Sequence, residues 1–586
     1  MRRSKLISRL ATFLIATLVC LLLAVVGPML LNRRASDEPF SGYAVMASPR
    51  DLHVVTSPIR LSGTPDLTLS RGALYADGNA TTSLPISRFV LDGAVFYLNA
   101  SGLRTSAASF DGFPGDLAGI APLVEQFTGT SFDTLTLRRG TIYITAADGS
   151  LQAINDIEAE LAGWRKGQLA ARGSFTVHDQ RVSFDATAAL PADKRASPRW
   201  PLKASLKGDL LEASFDGHLD ASEDLQLSGQ TEVTTPSLRR AVRSFGVPVP
   251  AAEGLNASTI KGQMTWARRI LAVDKARITV DGNEATGNLA LNLAGDRPLF
   301  DGTLAFSALD LTPYFEAVRA RSFVFDRQTA SWSAFDLSFP IIKHIDADLR
   351  LSSPKVVVKG YGFGRGAATI SMRSGKLLAD VAELELHSGI ASAQITAHAD
   401  GLVPNYSLRG KIENFEAGYA GAALLGSSLI NGRSTLSLDL ASAGQTPAEV
   451  LRGLSGKAAM IMPEGGKLAL DLKALRTAKP GTTPAWAALI KGQTTLDQVE
   501  ARAVIRDGVL IGDSVLARAG GTGISATGRV DLVEGTLDLR LATKPNVATD
   551  KPLQPDDMQG AQAVTLKGSW LEPHVKPAEA ASDVAQ

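Results

Sequence analysis

Alternating apolar and polar residues dominate the chain after Pro39. In residues 535–543 (GTLDLRLAT), three leucines would share one side of an extended segment, while Asp538 and Arg540 would share the other. Residues 434–440 (STLSLDL) and 287–293 (GNLALNL) repeat this pattern. Because successive side chains of a strand point to opposite faces, a period of two predicts strands with one apolar face. The leucines that define this face are Leu289, Leu291, Leu293, Leu436, Leu438, Leu440, Leu537, Leu539 and Leu541.

A less regular alternation predicts further strands at 134–137, 140–145, 172–177, 181–186, 277–280, 344–351, 392–397 and 501–505. Asp-Gly pairs such as Asp281-Gly282, Asp301-Gly302 and Asp507-Gly508 recur between strands, and they suit the positive φ angles of tight hairpins. Hairpin spacing makes neighbouring strands antiparallel. The sequence therefore predicts a mostly β protein. We expect an elongated series of antiparallel strands, forming a curled groove or a sandwich, with a few short helices.

The predicted helices are short. Residues 115–127 carry an apolar stripe at helical spacing. Four Thr-Pro pairs predict helix starts, because threonine caps free amides and proline fits the first turn. These pairs begin at Thr235, Thr312, Thr446 and Thr483. Residues 544–562, rich in proline and polar side chains, are predicted to lack regular structure, with a final strand within 564–575 and a disordered tail at 577–586.

The first 34 residues form a separate, membrane-like segment. Residues 10–31 contain no charged side chain, and as a helix they would reach ~33 Å, enough to cross a hydrocarbon layer of ~30 Å. Four basic residues before this run favour a cytoplasmic N-terminus and an exported body. The alternative is a cleaved signal peptide, whose apolar core is usually ~7–15 residues. We predict an uncleaved single-pass anchor that includes Leu10, Leu14, Leu18, Leu22, Val26 and Leu31.

Charge and cysteine content exclude several classes of protein. The 586 residues include 60 basic and 59 acidic side chains. Six basic and no acidic residues lie in the first 34 positions, so the rest of the chain carries a net charge of about −5. A body of that sign has no bulk attraction to nucleic acid. Cys20 is the only cysteine, which excludes a disulfide within the chain and any cysteine-based zinc cluster.

No residue pattern points to catalysis. His344, Asp346 and Asp348 would share one face of a strand and could bind a metal, but the same alternation is typical of a solvent-facing strand. Residues 360–366 (GYGFGRG) resemble a phosphate loop, yet they lack its Gly-Lys-Ser/Thr ending and precede a predicted strand. Glycines at strand bends are the better interpretation. We expect no enzyme, no cofactor and no metal site; a glycosidase using paired carboxylates is the enzymatic alternative.

The apolar sheet face must be covered by a second sheet, by barrel closure, by helices or by an apolar ligand. The predicted helices are too few and too short for the number of strands. Aromatic residues make up only 6% of the chain, and many inward positions are Ala, Val or Leu. This lining fits a trough that holds a ligand at least as well as it fits a packed sandwich, and composition leaves both open.

Residues 432–570 resemble the C-terminal region of AsmA-family envelope proteins. The resemblance rests on short phrases in a fixed order: GRSTLSLDL (432–440), TPAEVLRGLSGK (446–457), TTLD (494–497), RDG (506–508), GRVDL (528–532), GTLDL (535–539) and GSWLEP (568–573). Upstream, VDGNEATG (280–287) and LDLTPY (309–314) are similar too. Ala469 departs from the family, which often has glycine there, and residues 40–200 match only in architecture.

The resemblance implies a bacterial inner-membrane anchor that holds a periplasmic β-rich body. The wider group is associated with outer-membrane assembly and resembles carriers whose strands curl into a groove for acyl chains. It thus implies phospholipid as ligand and an outer-membrane or periplasmic protein as a further partner. The alternative is a non-enzymatic periplasmic scaffold or regulator of outer-membrane protein assembly. The predicted regions are the tip and anchor (1–34), three β-rich regions (35–200, 201–330 and the AsmA-like 331–576) and the tail (577–586).

Overall fold

The computed structural model describes most of the chain from residue 134 onward and five short segments before it. The described residues are 53–55, 59–61, 66–70, 88–92, 95–99, 134–145, 151–162, 168–177, 180–189, 199–220, 226–244, 249, 254–267, 270–292, 297–314, 325–326, 331–332, 340–343, 345–358, 361–386, 388–399, 401, 403–418, 429–472, 474, 486–548, 551–570 and 572–577. The predicted anchor (10–31), the predicted helix at 115–127, Leu293 and residues 578–586 of the predicted tail lie outside them.

The described residues are mostly in strands and fall into two compact units. Unit 1 contains those between 53 and 249, between 254 and 305, and between 345 and 349. Unit 2 contains those in 306–343 and 350–577. Within these ranges, no helix combines the length and the apolar character that a membrane crossing requires. The division into three β-rich regions stays a prediction.

Unit 1 begins with short strands whose pairing differs from the prediction. These are β1 (His53–Val55), β2 (Ile59–Leu61), β3 (Asp66–Ser70), β4 (Arg88–Asp92) and β5 (Val95–Asn99). The pairs β1–β5 and β2–β3 are antiparallel, but β3–β4 is parallel. Both β4 and β5 run parallel to the strand at Thr134–Thr145. The antiparallel expectation is wrong for these pairs, because the intervening chain is long enough for crossovers rather than hairpins.

The rest of unit 1 is built on an antiparallel series in which β6 to β15 pair in chain order. Its inward face is well packed: Ile154 and Phe175 are fully buried, and the rings of Phe175 and Phe184 lie 6.1 Å apart. The strands are β6 (Thr134–Thr145), β7 (Leu151–Ala162), β8 (Gln168–Val177), β9 (Gln180–Ala189), β10 (Arg199–Gly208), β11 (Glu212–Asp220), β12 (Gln226–Thr235), β13 (Ser258–Ala267), β14 (Ile270–Val280), β15 (Asn283–Asn292) and β16 (Leu299–Phe306).

Unit 2 contains a second large antiparallel series, in which β23 to β26, β28, β29 and β32 to β37 pair in chain order. A small antiparallel sheet is formed by β27, β30 and β31. The strands are β17 (Leu309–Asp310), β18 (Phe325–Asp326), β19 (Ser331–Trp332), β20 (Asp346–Ser353, which begins in unit 1), β21 (Val356–Val358), β22 (Tyr361–Phe363), β23 (Gly366–Arg373), β24 (Lys376–Glu385), β25 (Ile390–His398), β26 (Asn405–Glu416), β27 (Ile430–Asn431), β28 (Arg433–Ala443), β29 (Ser455–Met462), β30 (Gly466–Leu468), β31 (Thr494–Leu496), β32 (Gln498–Arg506), β33 (Val509–Ala519), β34 (Thr522–Asp531), β35 (Thr536–Pro545), β36 (Gln562–Ser569) and β37 (His574–Pro577).

Bulges interrupt the strands at polar residues in the left-handed region. Arg139, Asp156 and Lys275 have φ near +50° at register shifts in β6, β7 and β14. The N–H of Lys275 donates to Asn288 Oδ1 at 3.1 Å. Each bulge adds one residue, so apolar positions change from odd to even numbers, or the reverse, while staying on the same face. The predicted strands 134–137 and 140–145 are therefore one bulged strand, β6.

Three short α-helices have both ends within the described residues. They are α1 (Leu238–Ser244), α2 (Pro447–Arg452) and α3 (Trp486–Leu489). The predicted cap at Thr446 is confirmed, since its side chain accepts from the Glu449 N–H and Pro447 occupies the first turn. The helix predicted to begin with a cap at Thr235 is capped two residues later, by Ser237. There Ser237 Oγ accepts from the Arg240 N–H, and Thr235 Oγ1 accepts from the N–H of Ser237.

The structure also tests the predicted Asp-Gly turns and the segment at 544–562. Asp281 and Asp507 have φ near +50°, and the glycines after them are also positive, as the hairpin prediction requires. Asp301-Gly302 is not a turn but lies inside β16. Residues 544–562 are more ordered than predicted: Val547 and Met558 are buried, and a 3-10 helix spans Pro555–Met558.

We expect Phe175→Ala to destabilise unit 1 by ~3–5 kcal/mol, because it empties a fully buried site that its neighbours cannot refill. Native-state hydrogen exchange of the full chain would measure this loss as faster amide exchange in β8 and β9. Phe175→Leu should destabilise unit 1 much less than Phe175→Ala. Unchanged exchange in Phe175→Ala would contradict the packing described for this unit.

Candidate functional site: the apolar face of unit 2

Three rows of apolar residues cross the large sheet of unit 2 on one face. Each row follows directly paired residues from strand to strand. The central row is Val381, Ala393, Gly410, Leu438, Ala458, Ala503, Gly512, Gly528, Leu539 and Leu566. The first flanking row is Ala379, Ile395, Leu408, Leu440, Gly456, Ile505, Leu510, Val530, Leu537 and Gly568. The second flanking row is Ala391, Ile412, Leu436, Met460, Ala501, Val515, Ala526, Leu541 and Val564. None of these side chains is polar or charged.

The central row consists mainly of small residues between β25 and β34. Ala393, Gly410, Ala458, Ala503, Gly512 and Gly528 occupy it, with Leu438 as the exception. Residues two apart along a strand are ~6.7 Å apart, so the two flanking rows lie ~13 Å from each other. Larger side chains on both sides of a low central row make a shallow trough. We call these three rows the trough and the central row its floor.

The trough is less covered than the corresponding face of unit 1. In β9, Val182, Phe184, Ala186 and Ala188 are all buried. In the trough, by contrast, Leu438 and Leu440 are half-buried, and Ile395 is 41% exposed. An aliphatic side chain with that exposure lies next to space that a further apolar group could fill.

One side of the trough is bounded by the small sheet of β27, β30 and β31. Buried residues Phe415, Met462, Leu496, Val499 and Ile524 form a core there. The second flanking row packs against this core through Ile412, Leu436, Met460 and Leu541. We call the small sheet and its core the wall.

Glycines let the wall lie close to its neighbours. A Cβ on Gly466 would stand 2.2 Å from the carbonyl oxygen of Asn431 in β27. A Cβ on Gly465, whose φ is +72°, would stand 1.9 Å from the carbonyl oxygen of Leu496. Any larger residue at either position would separate the wall's strands, so the wall depends on the Gly-Gly pair.

The C-terminal end of the trough is covered. Leu470 and Leu489 are buried in a core with Leu566 and Val575. Partly buried residues that pack against this core include Leu472, Trp486, Leu537, Leu539 and Leu541. Residues 468–472 and α3 therefore lie over β35 and β36, and we call them the end cover. Its two parts are joined by a hydrogen bond from the Asp471 N–H to the Leu489 carbonyl at 2.9 Å.

The nine leucines predicted from the sequence do not form one site. Leu289 and Leu291 are half-buried in β15 of unit 1, and Leu293 lies outside the described residues. Of the six in unit 2, Leu436 contacts the wall, and Leu537, Leu539 and Leu541 lie under the end cover. Leu438 and Leu440 remain on the uncovered part of the trough. Sequence alternation missed the small floor residues, because glycine and alanine carry little signal for an apolar face.

Of the three predicted polar candidates, the structure describes Asp346 and Asp348, which both lie in β20. Asp346 is only 17% exposed, and it forms an ion pair with Arg297 at 2.9 Å, which corrects its interpretation as a solvent-facing residue. His344 lies outside the described residues. Across the part of the chain that the structure describes, no group of three or more His, Cys, Asp or Glu side chains could hold a metal. The glycine run at 360–366 leads into β23 rather than into a helix.

Shifted ionisable groups lie away from the trough. Burial lowers the pKa of Arg239, whose Nε donates to the Gly254 carbonyl in unit 1. Hydrogen bonds from the Gln554 N–H and from Lys551 lower the pKa of Asp557. Both groups belong to loop and helix-end structure, and neither lies in the three rows.

An open surface pocket of about 970 Å³ lies on the face of unit 1 opposite its buried residues. Directly paired residues from β9 to β14 line it, including Ser183, Lys207, Glu212, Thr234 and Thr259. Its hydroxyl groups and mixed charges contrast with the trough, so the pocket does not extend the apolar face.

No protein-family model matches this chain. No curated protein matches it either.

We expect Gly410→Ala and Gly512→Ala to leave the stability of unit 2 within ~1 kcal/mol of the parent, because both floor positions have room for a methyl group. The nearest atoms to a built Cβ are 3.5 Å away at Gly410 and 3.7 Å at Gly512. Gly528→Ala should destabilise by ~1–3 kcal/mol, because its backbone conformation is strained for alanine. There φ is +129°, and Cβ would stand 2.2 Å from the Asp538 carbonyl oxygen.

Denaturant unfolding of the full chain measures the stability of all three variants. Hydrogen exchange locates the loss, in β25 to β28 for Gly410→Ala and in β32 to β35 for Gly512→Ala and Gly528→Ala. Equal losses at Gly410, Gly512 and Gly528 would contradict the open floor.

Proposed function

We propose that this protein is anchored in the bacterial inner membrane by residues 10–31 and holds phospholipid acyl chains in the trough of unit 2. In this proposal the body lies in the periplasm, and the protein supports outer-membrane assembly by carrying lipid. The observation that carries the proposal is the trough itself. Two directly paired rows cross the ten strands from β24 to β36 and a third crosses nine of them, all without a polar side chain, and part of that surface is uncovered.

The chemistry of the trough favours a hydrocarbon ligand. Burying one methylene group against an apolar surface contributes ~0.8 kcal/mol. A ligand with polar groups would leave them without partners among these side chains, at a cost of ~1–3 kcal/mol each. A phospholipid avoids that cost, because its chains can lie in the trough while its headgroup stays in water.

The width of the trough favours an acyl chain over a helix. The backbones of the two flanking rows are ~13 Å apart, and side chains such as Ile395 and Ile412 narrow the space between them. A helix with its side chains is ~10–12 Å across and would have to displace them. A single extended hydrocarbon chain needs much less room.

The length of the floor favours movement along it. The floor from Ala393 in β25 to Gly528 in β34 crosses seven strands, a path of ~29 Å at ~4.8 Å per strand. One leaflet of a bilayer core is ~15 Å thick, which sets the reach of one chain. A chain could thus occupy several similar positions. Carriage of this kind is passive, and no single residue supplies most of the binding energy.

The membrane and envelope parts of the proposal rest on the sequence. The uncharged run at 10–31 and its basic flanks support the anchor and its orientation. The ordered phrases in 432–570 support relationship to the AsmA family and, through it, a role in outer-membrane assembly. Both remain predictions.

A protein-binding scaffold is the second candidate. The observation in its favour is that this sheet face already binds peptide segments of its own chain, in the wall and the end cover. A partner's apolar segment could occupy the remaining trough in the same way. The two candidates differ in the chemical nature of the occupant.

Site-specific photo-crosslinking of the full chain in membranes identifies that occupant. Ile395 and Leu378 are 41% and 38% exposed and lie on adjacent strands, but Leu378 is on the opposite sheet face. With p-benzoylphenylalanine at position 395, we expect phospholipid adducts, because this side chain borders the uncovered trough. The same residue at position 378 is the control and should give at least tenfold fewer. A protein adduct at 395 would favour the scaffold, and equal lipid labelling at both positions would overturn the proposal.

Filling the floor should block the trough without disturbing the sheet. We expect Gly410→Leu combined with Gly512→Leu to reduce the lipid adducts at position 395 at least fivefold, because the new side chains occupy the space above the floor. Ser392→Leu, on the exposed opposite face of β25, is the control and should leave the adducts unchanged. Unchanged labelling in the filled but folded variant would show that the lipid lies elsewhere.

A further inference from the structure

The floor changes character at its C-terminal end. From Ala393 to Gly528 it is made mainly of alanine and glycine, but the next two residues in the row are Leu539 and Leu566. These two leucines project to the height of the flanking rows. The change in side-chain size coincides with the end cover, whose buried residues Leu470 and Leu489 pack with both of them.

The end cover is built into the fold. Leu489 is 1% exposed, and the Asp471 N–H donates to its carbonyl. Thr494 Oγ1 donates to the Leu470 carbonyl at 2.7 Å, which ties the cover to β31 of the wall. Gly492 permits this close approach, because a Cβ there would stand 2.3 Å from the Asp471 backbone nitrogen. Lifting the cover would break these bonds and expose buried leucines.

We infer that the trough is blind at this end: the end cover stops acyl chains at β34 and keeps them away from β35 to β37. This inference rests on the proposed function and adds a direction to it. The methyl end of a chain that points toward β35 meets Leu539 and the cover. Lipid therefore enters and leaves over β24 to β34, through the uncovered side or the opposite end of the trough. A protein that receives or delivers lipid has to engage unit 2 in that region.

Photoreactive lipids test this inference without changing the protein. The full chain is reconstituted in vesicles of phosphatidylethanolamine and phosphatidylglycerol that contain a phosphatidylethanolamine with a diazirine at the end of one acyl chain. After irradiation, adducts are located by peptide mass spectrometry. We expect adducts in β25, β26 and β28, at residues such as Ile395, Leu408 and Leu440. Labelling of Leu539 and Leu566 should be at least tenfold lower.

Truncating the end cover should extend the labelled region. In Trp486→Ala, and more strongly in Trp486→Ala combined with Leu489→Ala, we expect adducts on Leu539 to rise at least fivefold. Ile430→Ala removes an apolar contact from the wall and is the control; it should leave the labelling of Leu539 at the level of the unaltered protein. If the double variant does not fold, the labelled positions in the unaltered protein still show whether acyl chains stop before β35.

The outcomes separate the inference from the proposed function. Strong labelling of Leu539 and Leu566 in the unaltered protein would overturn the blind end while supporting lipid carriage. Unchanged labelling after truncation of a folded cover would show that the cover is not the stop. Adducts confined to residues 10–31, with none in the three rows, would overturn the proposed function itself.

Discussion

Strand register is the constraint on which the apolar face of unit 2 depends. The rows from Ala379 to Gly568 are apolar only because each strand pairs with the next in one alignment. Since side chains alternate along a strand, a slip of one residue would turn a strand's leucines to the charged face and its charges into the trough. The hairpin turn at Asp507-Gly508 fixes the alignment of β32 with β33. The bulge at Asn414 in β26, where φ is 56°, adds one residue and keeps the apolar side chains on the same face.

The two units use the same strand pattern differently. In unit 1 the alternation in β9 and β10 produces buried residues, and the bulky rings of Phe175 in β8 and Phe184 in β9 pack against each other. In unit 2 small residues occupy the floor, and segments of the chain cover only part of the face. The difference between a packed interior and a partly open surface therefore lies in side-chain size and in the added wall and end cover. The strand pattern itself does not distinguish them.

Much of the fold could be predicted from the sequence, but the site only in part. The strong alternation at 287–293, 434–440 and 535–543 identified β15, β28 and β35, because period two is a local property. Local alternation could not predict which leucines of different strands lie on the same sheet face, since strand pairing depends on residues far apart in the chain. The bulge at Lys275 does leave a signal in the sequence, because the buried apolar positions change from an odd number at Val273 to even numbers at Ala276 and Ile278. The floor glycines and the end cover depend on tertiary packing and had no local signal.

Because the floor is made of small residues, substitutions in the floor and substitutions in the flanking rows should affect the trough very differently. Removing a methyl group from any one flanking leucine weakens contact at one point along a long path and leaves the path passable. Adding one large side chain to the floor blocks every acyl chain that has to pass that position. The leucines could therefore be exchanged for many other aliphatic residues with small effects. Ala458 or Gly512 could be replaced only by residues nearly as small.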